Sequence, residues 1–291
     1  MSFPSNSALH IDLTKKEFAI KSYPELREFV GGVGTASKLI LDNIEAEPVV
    51  FSVGPMNGYF PFASKACAAF IDEGKFVDTY VGGKLSTRLS FCGMSSVVFE
   101  GKSSEPVLLQ ISEKGVVFFP ENNDPKSLGT PGRKVVVTVS ENEVGVSDYF
   151  HFGNEALARK LYDKGIRGLV VYGSLERSVE NPIKYEKLYL EILGKVGSML
   201  VTASDKPSCS GCPMGCDKSS VGENGGNVFV HSLVSCTYAE AIYSDIPTVF
   251  ACLSSLGYDY VHEELESLPD KIYKNIRSIY EKIGNSELET K

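Results

Sequence analysis

The chain has 291 residues, 43% of them hydrophobic and 23% charged, enough to build a sizeable core as one large or two modest domains. A formal net charge of -8, with no clustered Lys and Arg, excludes the electrostatic footprint of a nucleic-acid binder, because phosphates require local positive charge. No apolar run approaches the roughly 20 residues of a spanning helix, and the opening MSFPSNSALHIDLTKKEF lacks the basic-then-apolar pattern of a leader, so the expected setting is the cytoplasm, without a membrane partner.

Short apolar runs separated by Gly, Pro, Ser or acidic residues dominate the first part and predict strands over 9–13, 17–23, 48–53, 67–72, 96–100, 107–111, 116–120, 134–139 and 168–172. The runs 107–111 and 116–120 read as a hairpin. One helix is expected from residue 24 or 25 to about 44, interrupted by glycines at 31–34, and another over 154–164, closed by Gly165 as its C′ glycine. After Gly173 the spacing becomes helical, over 183–200, 231–255 and 258–283, around a loop at 202–227 rich in Ser, Gly, Cys and Pro. A polar tail from Asn285 is expected to fray. These readings give an α+β chain: a β-rich domain over residues 1–178, then a small helical domain over 179–291 that carries the loop.

Seven cysteines, odd in number and unevenly spread, do not suit a secreted disulfide framework. Three of them crowd into the loop as Cys209-Ser-Gly-Cys212-Pro-Met-Gly-Cys216. Short gaps with small residues let one backbone loop turn several sulfurs toward a single centre, and soft thiolates suit either a four-iron four-sulfur cluster or zinc. The spacing favours the cluster, since zinc ribbons more often use two separated Cys-x-x-Cys pairs or add histidines. No fourth ligand stands out: Cys236 and Cys252 fall in an expected helix, and Cys67 and Cys92 lie in or beside strands, where buried apolar thiols are the commoner role.

The pattern resembles the tungsten- or molybdenum-pterin aldehyde:ferredoxin oxidoreductase family over about residues 9 to 259. Collinear stretches carry the likeness: Leu9-His-Ile-Asp-Leu-Thr, Val30-Gly-Gly-Val-Gly-Thr-Ala, Val53-Gly-Pro-Met-Asn-Gly58, and Gly82-Gly-Lys-Leu-Ser-Thr-Arg-Leu-Ser-Phe-Cys-Gly93 running on into Val97-Val-Phe-Glu-Gly-Lys102 and Glu105-Pro-Val-Leu-Leu-Gln-Ile111. The cysteine loop and Cys252-Leu-Ser-Ser-Leu-Gly-Tyr-Asp259 follow in the family's order. The resemblance implies a two-sheet, saddle-like β domain with flanking helices over a metal–pterin, and a 4Fe-4S cluster held by Cys209, Cys212 and Cys216. It further implies pterin contacts from Lys65, Gly82, Gly83 and Asp259, and oxidation of an aldehyde or oxo group with electrons passed to a ferredoxin-like carrier.

Several departures bear on that activity. The family's C-terminal portion, which supplies a fourth cluster cysteine and groups near the metal, has no counterpart in these residues, so the chain reads as truncated and dependent on a completing subunit. Its Arg-containing pterin contact becomes Ser64-Lys65-Ala66, the Asn before the double glycine becomes Tyr80, and the first Asp of the last motif becomes Ser254. Its glycine-rich phosphate segment becomes an amphipathic helix around Ala158-Arg-Lys-Leu-Tyr-Asp, which cannot cradle a phosphate in the same way. The alternative is therefore a stand-alone module that binds an iron–sulfur cluster or zinc without catalysis, and either reading is compatible with a homo-oligomer. No catalytic residue is assigned. His10, His151, His231 and His262 have no carboxylate or serine at a suggestive offset, and Glu240 reads as a solvated or capping glutamate.

Overall fold

The structure is a computed structural model that describes residues 7–147, 150–152, 154–218 and 224–284. The tail from Asn285, residues 219–223 of the expected loop and the side chain of His151 lie outside the described set. Two six-stranded mixed sheets form the scaffold. The first contains β1 (Ser7–Asp12), β2 (Glu17–Ser22), β3 (Val49–Ser52), β4 (Ala66–Asp72), β5 (Lys75–Val81) and β6 (Ser96–Glu100), in the order β2-β1-β6-β3-β4-β5. The second contains β7 (Val107–Ser112), β8 (Gly115–Pro120), β9 (Lys134–Val139), β10 (Val144–Val146), β11 (Phe150–Phe152) and β12 (Ile166–Tyr172), in the order β11-β10-β9-β12-β7-β8. Each sheet is antiparallel apart from one parallel pair, β1 with β6 and β7 with β12.

The period-two alternation of the strands explains how the first sheet is used on both faces. Leu9, Ile11, Val49, Phe51, Ala68, Phe70, Val97 and Phe99 point to the second sheet and form a core with Leu109, Ile111, Val135, Val137 and Leu169. Their neighbours Ala8, Val50, Cys67, Ala69, Tyr80 and Val98 point the other way, into a second core shared with helices. The α+β class and the two-sheet arrangement expected from the sequence are both present. Strands β5, β10 and β11 had not been anticipated. The β4–β5 hairpin turns on Glu73-Gly74, both at positive φ, the two-residue geometry that matches the twist of the flanking strands.

The helical layer comprises α1 (Gly32–Asp42), α4 (Pro182–Gly194), α5 (Val228–Leu233), α6 (Glu240–Tyr243), α7 (Ile246–Ser255), α8 (His262–Glu266) and α9 (Leu268–Lys282), while α2 (Leu85–Phe91) and α3 (Glu155–Asp163) pack on the core between the sheets. Three expected helices are broken. The first becomes a 3-10 helix, Pro24–Phe29, and then α1, because Val30 (φ 64) and Gly32 (φ 47) reverse the chain between them. The expected 231–255 helix divides after Leu233, where Ser235 adopts φ 55, and again where Asp245 caps α7 by accepting from the Thr248 N–H. The last divides at Ser267, before Pro269 in the first turn of α9. No helix among the described residues is long and apolar enough to cross a membrane.

Candidate functional site

The cysteine loop is seated on the strand end that carries the double glycine. The Gly83 N–H donates to the Ser208 carbonyl (2.8 Å) and the Ser210 N–H to the Gly83 carbonyl (3.1 Å), forming a parallel bridge between Gly83 and Cys209. Gly83 takes φ +70 there, a conformation few side-chain-bearing residues adopt. The loop then closes on itself. The Ser208 N–H reaches the Cys216 carbonyl (2.9 Å), the Ser204 N–H reaches the Gly215 carbonyl (2.9 Å), and Gly211 and Gly215 supply two further positive-φ positions. The fold thus brings Cys209, Cys212 and Cys216 together, with Cys209 and Cys216 buried and Cys212 half-buried.

Cys212 is the best-defined thiol electrostatically. Burial pushes it up to about 11, the neighbouring Cys209 and Cys216 sulfurs push in the same direction, and the N–H groups of Met214 and Gly215 oppose them. Backbone N–H groups directed at sulfur stabilise a thiolate and are one of the levers that tune a cluster. A single zinc ion would need each thiolate within ~2.3 Å of one point. Among the described residues, no group of three or more His, Cys, Asp or Glu side chains is arranged to hold one metal ion. Cluster thiolates bind separate irons and stand further apart, so this does not count against a cluster.

Sequence reasoning placed Cys236 in a helix, and the structure corrects this. Cys236 follows the left-handed Ser235, adopts extended backbone (φ -143, ψ 107) and precedes a 3-10 helix, Thr237–Ala239. Its thiol is buried and lies within electrostatic reach of Cys209, Cys212 and the Lys65 ammonium, and its carbonyl accepts from the Ala239 N–H at 3.1 Å. Nothing in the spacing of the sequence marked it, because the break at Ser235 is a tertiary effect.

The expected pterin contacts form no open cradle. Lys65 is 2% exposed, with its Nζ 5.6 Å from the centre of the Tyr238 ring. Gly83 is occupied by its ladder with the cysteine loop. Tyr80 is fully buried and stacks on His231, ring centres 3.7 Å apart and 7° from parallel, while its hydroxyl donates to the Asp78 carboxylate. The His231 Nε2 is 2.9 Å from the Thr237 hydroxyl, and burial, then the charge of Lys65, pull this histidine down to about 3. Gly54 lies under the end of α5: a Cβ there would stand 2.0 Å from the Leu233 carbonyl oxygen, as one at Gly32 would from that of His231. These two glycines let backbone approach backbone. Asp259 is elsewhere, its side chain 90% exposed and paired with Arg27 at 3.0 Å.

Other singled-out residues have structural partners. Glu240 accepts from the Asn227 side-chain amide (2.8 Å), and Ser254 accepts from Lys184 (3.2 Å). For His10 the sequence offered no carboxylate nearby, but the β1–β6 pairing brings Glu100 to its Nδ1 (2.9 Å), with the Tyr23 hydroxyl at its Nε2 (2.6 Å). Only tertiary pairing reveals that trio.

The class defined by this architecture is a two-sheet α+β scaffold whose first sheet is closed by a helical layer bearing a cysteine loop. Residues 8–124 match the sequence model described as aldehyde ferredoxin oxidoreductase, N-terminal domain, the family that the motifs of this stretch resemble. Among solved structures, the chain is similar to one described as the active site complex BamBC of benzoyl coenzyme A reductase in complex with 1,5-dienoyl-CoA. The TM-score is 0.61 at 16% identity, a likeness of fold that covers 98% of this chain. The present chain spans 64% of that one.

Proposed function

We propose that this chain is an iron–sulfur electron-transfer module built on the aldehyde ferredoxin oxidoreductase N-terminal scaffold, and that by itself it does not oxidise aldehydes. The observation that carries the cluster half is the closed loop of Cys209, Cys212 and Cys216, turned at Cys212 by the Gly215 N–H donating to the Cys212 carbonyl (3.3 Å), with the Cys209 and Cys216 sulfurs as electrostatic neighbours of Cys212. When bound, a 4Fe-4S cluster supplies one-electron transfer. The protein's share is to exclude water from the sulfurs, to stabilise them as thiolates through N–H groups, and to hold the Lys65 ammonium nearby as a compensating charge. The half concerning catalysis rests on the pterin positions. Tyr80 is stacked on His231 and Gly54 lies against Leu233, so neither is open to a ligand, and Asp259 is turned to the surface.

A carrier of single electrons needs a partner, and a ferredoxin-like protein or a completing subunit fits that chemistry. The solved structure of similar fold is described as part of a complex. Ile183 and Leu190 on α4, with Leu200 just beyond it, are 85%, 59% and 96% exposed, which supports a partner-facing surface there.

Purification under strict exclusion of oxygen, followed by elemental analysis, sulfide determination and visible absorption, tests both halves. Iron and sulfide in equal amounts, without tungsten, molybdenum or pterin fluorescence after oxidation, are expected. Tungsten or molybdenum with pterin would overturn the non-catalytic half. Zinc alone, or no metal after reconstitution with iron and sulfide, would overturn the cluster.

A further inference from the structure

Three cysteines leave one corner of a four-iron cluster without a protein ligand. Two independent elements tie the cysteine loop to the turn that carries Cys236. From one side, Gly83, at the end of the strand that carries Tyr80, holds Cys209 by the paired hydrogen bonds of 2.8 and 3.1 Å that Ser208 and Ser210 make with it. From the other, α5 delivers His231, which stacks on Tyr80 at 3.7 Å and whose Nε2 is 2.9 Å from the hydroxyl of Thr237, the residue next to Cys236. The strand that seats Cys209 and the turn that carries Cys236 are therefore locked to one another through Tyr80, His231 and Thr237. The helical-side core contains Cys216 and Cys236, and also Cys67 and Cys252, but among Cys67, Cys236 and Cys252 it is Cys236 whose electrostatic neighbours include the loop thiols Cys209 and Cys212. The turn at Ser235 (φ 55), with the Ser235 hydroxyl donating to the His231 carbonyl at 3.2 Å, fixes the backbone from which the Cys236 thiol projects.

On the reading of the loop as a cluster site, we propose that Cys236 is the fourth thiolate, so that this chain closes its iron–sulfur centre from its own residues. The surroundings suit the charge this creates. A four-iron core with four thiolates is a dianion and gains another negative charge on reduction, so its burial calls for a nearby cation and for N–H donors. Lys65 is the buried cation within reach of Cys236, held over the Tyr238 ring two residues further on, and the Ala239 N–H closes the turn by donating to the Cys236 carbonyl at 3.1 Å. Cys252 provides the internal control. It is equally buried, on α7, and its electrostatic neighbours are Lys195, Glu191 and Lys184 instead of the loop thiols.

The test is anaerobic reconstitution of wild type, Cys236→Ser and Cys252→Ser with iron and sulfide, read by iron content and by electron paramagnetic resonance of oxidised and reduced samples. Four irons per chain are expected in wild type and Cys252→Ser. Cys236→Ser should fall to three, with a signal in the oxidised state, or lose the cluster while its circular dichroism stays native. Four irons in Cys236→Ser with wild-type spectra would overturn the assignment and leave the cluster standing, whereas no iron in wild type would remove the cluster itself. If Cys236→Ser does not fold, wild type alone decides. A fourth corner held by Cys236 leaves the reduced spectrum unmoved by added cyanide or a small thiol, and a ligand-dependent shift would overturn the assignment.

Discussion

The two faces of the first sheet are built from the same strands and carry unlike cores. Toward the second sheet, β1, β3, β4 and β6 present Leu9, Ile11, Phe51, Phe70 and Phe99 to a layer that is overwhelmingly aliphatic and aromatic. Toward the helices, the alternate positions of the same sheet present His10, Cys67 and Tyr80, joined there by Lys65, His231 and the loop cysteines. The difference is one of purpose. A dry core needs only volume and shape, and its stabilisation scales with buried area. A core that buries charge and thiol must satisfy each group, so its geometry is determined by hydrogen bonds, stacking and charge pairing.

The comparison is broken most strongly on the dry side. Phe99 packs edge-on to Phe51, with ring centres 5.7 Å apart, and is 1% exposed. Phe99→Ala leaves a cavity between two sheets that cannot collapse onto each other, and a loss of about 3–5 kcal/mol is expected. Denaturant unfolding followed by circular dichroism measures it, since the chain has no tryptophan to report by fluorescence. A loss under about 1 kcal/mol would mean that the two sheets are not packed as one core.

On the helical side the largest effect is on acid stability. His231 is buried and neutral, pulled down to about 3 from the 6.5 of an exposed imidazole. The unfolded chain therefore binds a proton between those values that the folded chain does not, and stability is present above pH 6.5 and lost as pH falls toward 3. A loss on the order of 5 kcal/mol at most follows from that interval. His231→Phe keeps a flat ring against Tyr80 and removes the ionisation, so its stability should vary less with pH across this window than wild type does. An identical slope in the two proteins would show that the imidazole is not buried neutral.

These effects differ in how far they were readable in advance. The alternation of Leu9, Ile11, Phe51 and Phe99 is local, and the strands carrying it were recognised along with the α+β class. The missed elements owe their form to tertiary contacts: β5 is set by a two-residue turn and its pairing with β4, and the helix expected over 231–255 breaks because α5 ends against Gly32 and Gly54. At the candidate site, the spacing of Cys209, Cys212 and Cys216 was visible because the three lie within one loop of the sequence. Cys236, the Tyr80–His231 stack and the His10–Glu100 contact were not, since each joins residues that only the fold brings together. The family motifs marked Tyr80 as a departure, but nothing local pointed to its stack on His231.

The smallest expected effect concerns the residue on which the family resemblance and the structure diverge most. As a pterin contact, Asp259 would be buried against a cofactor and its loss would be felt there. In this chain its carboxylate is exposed, and it is held below the usual carboxylate range by a hydrogen bond from Arg27. Arg27 has an alternative, since its other nitrogen meets Glu264 at 2.6 Å and its guanidinium lies 4.8 Å from the centre of the Tyr260 ring. Exposed ion pairs contribute little because water and salt screen them and two side chains must be ordered to make them. Asp259→Asn is therefore expected to leave the thermal midpoint at neutral pH, the iron content and the reduction potential where they are in wild type. Loss of a bound metal in that variant would place Asp259 at a cofactor and return the helical face to the role it has in pterin enzymes.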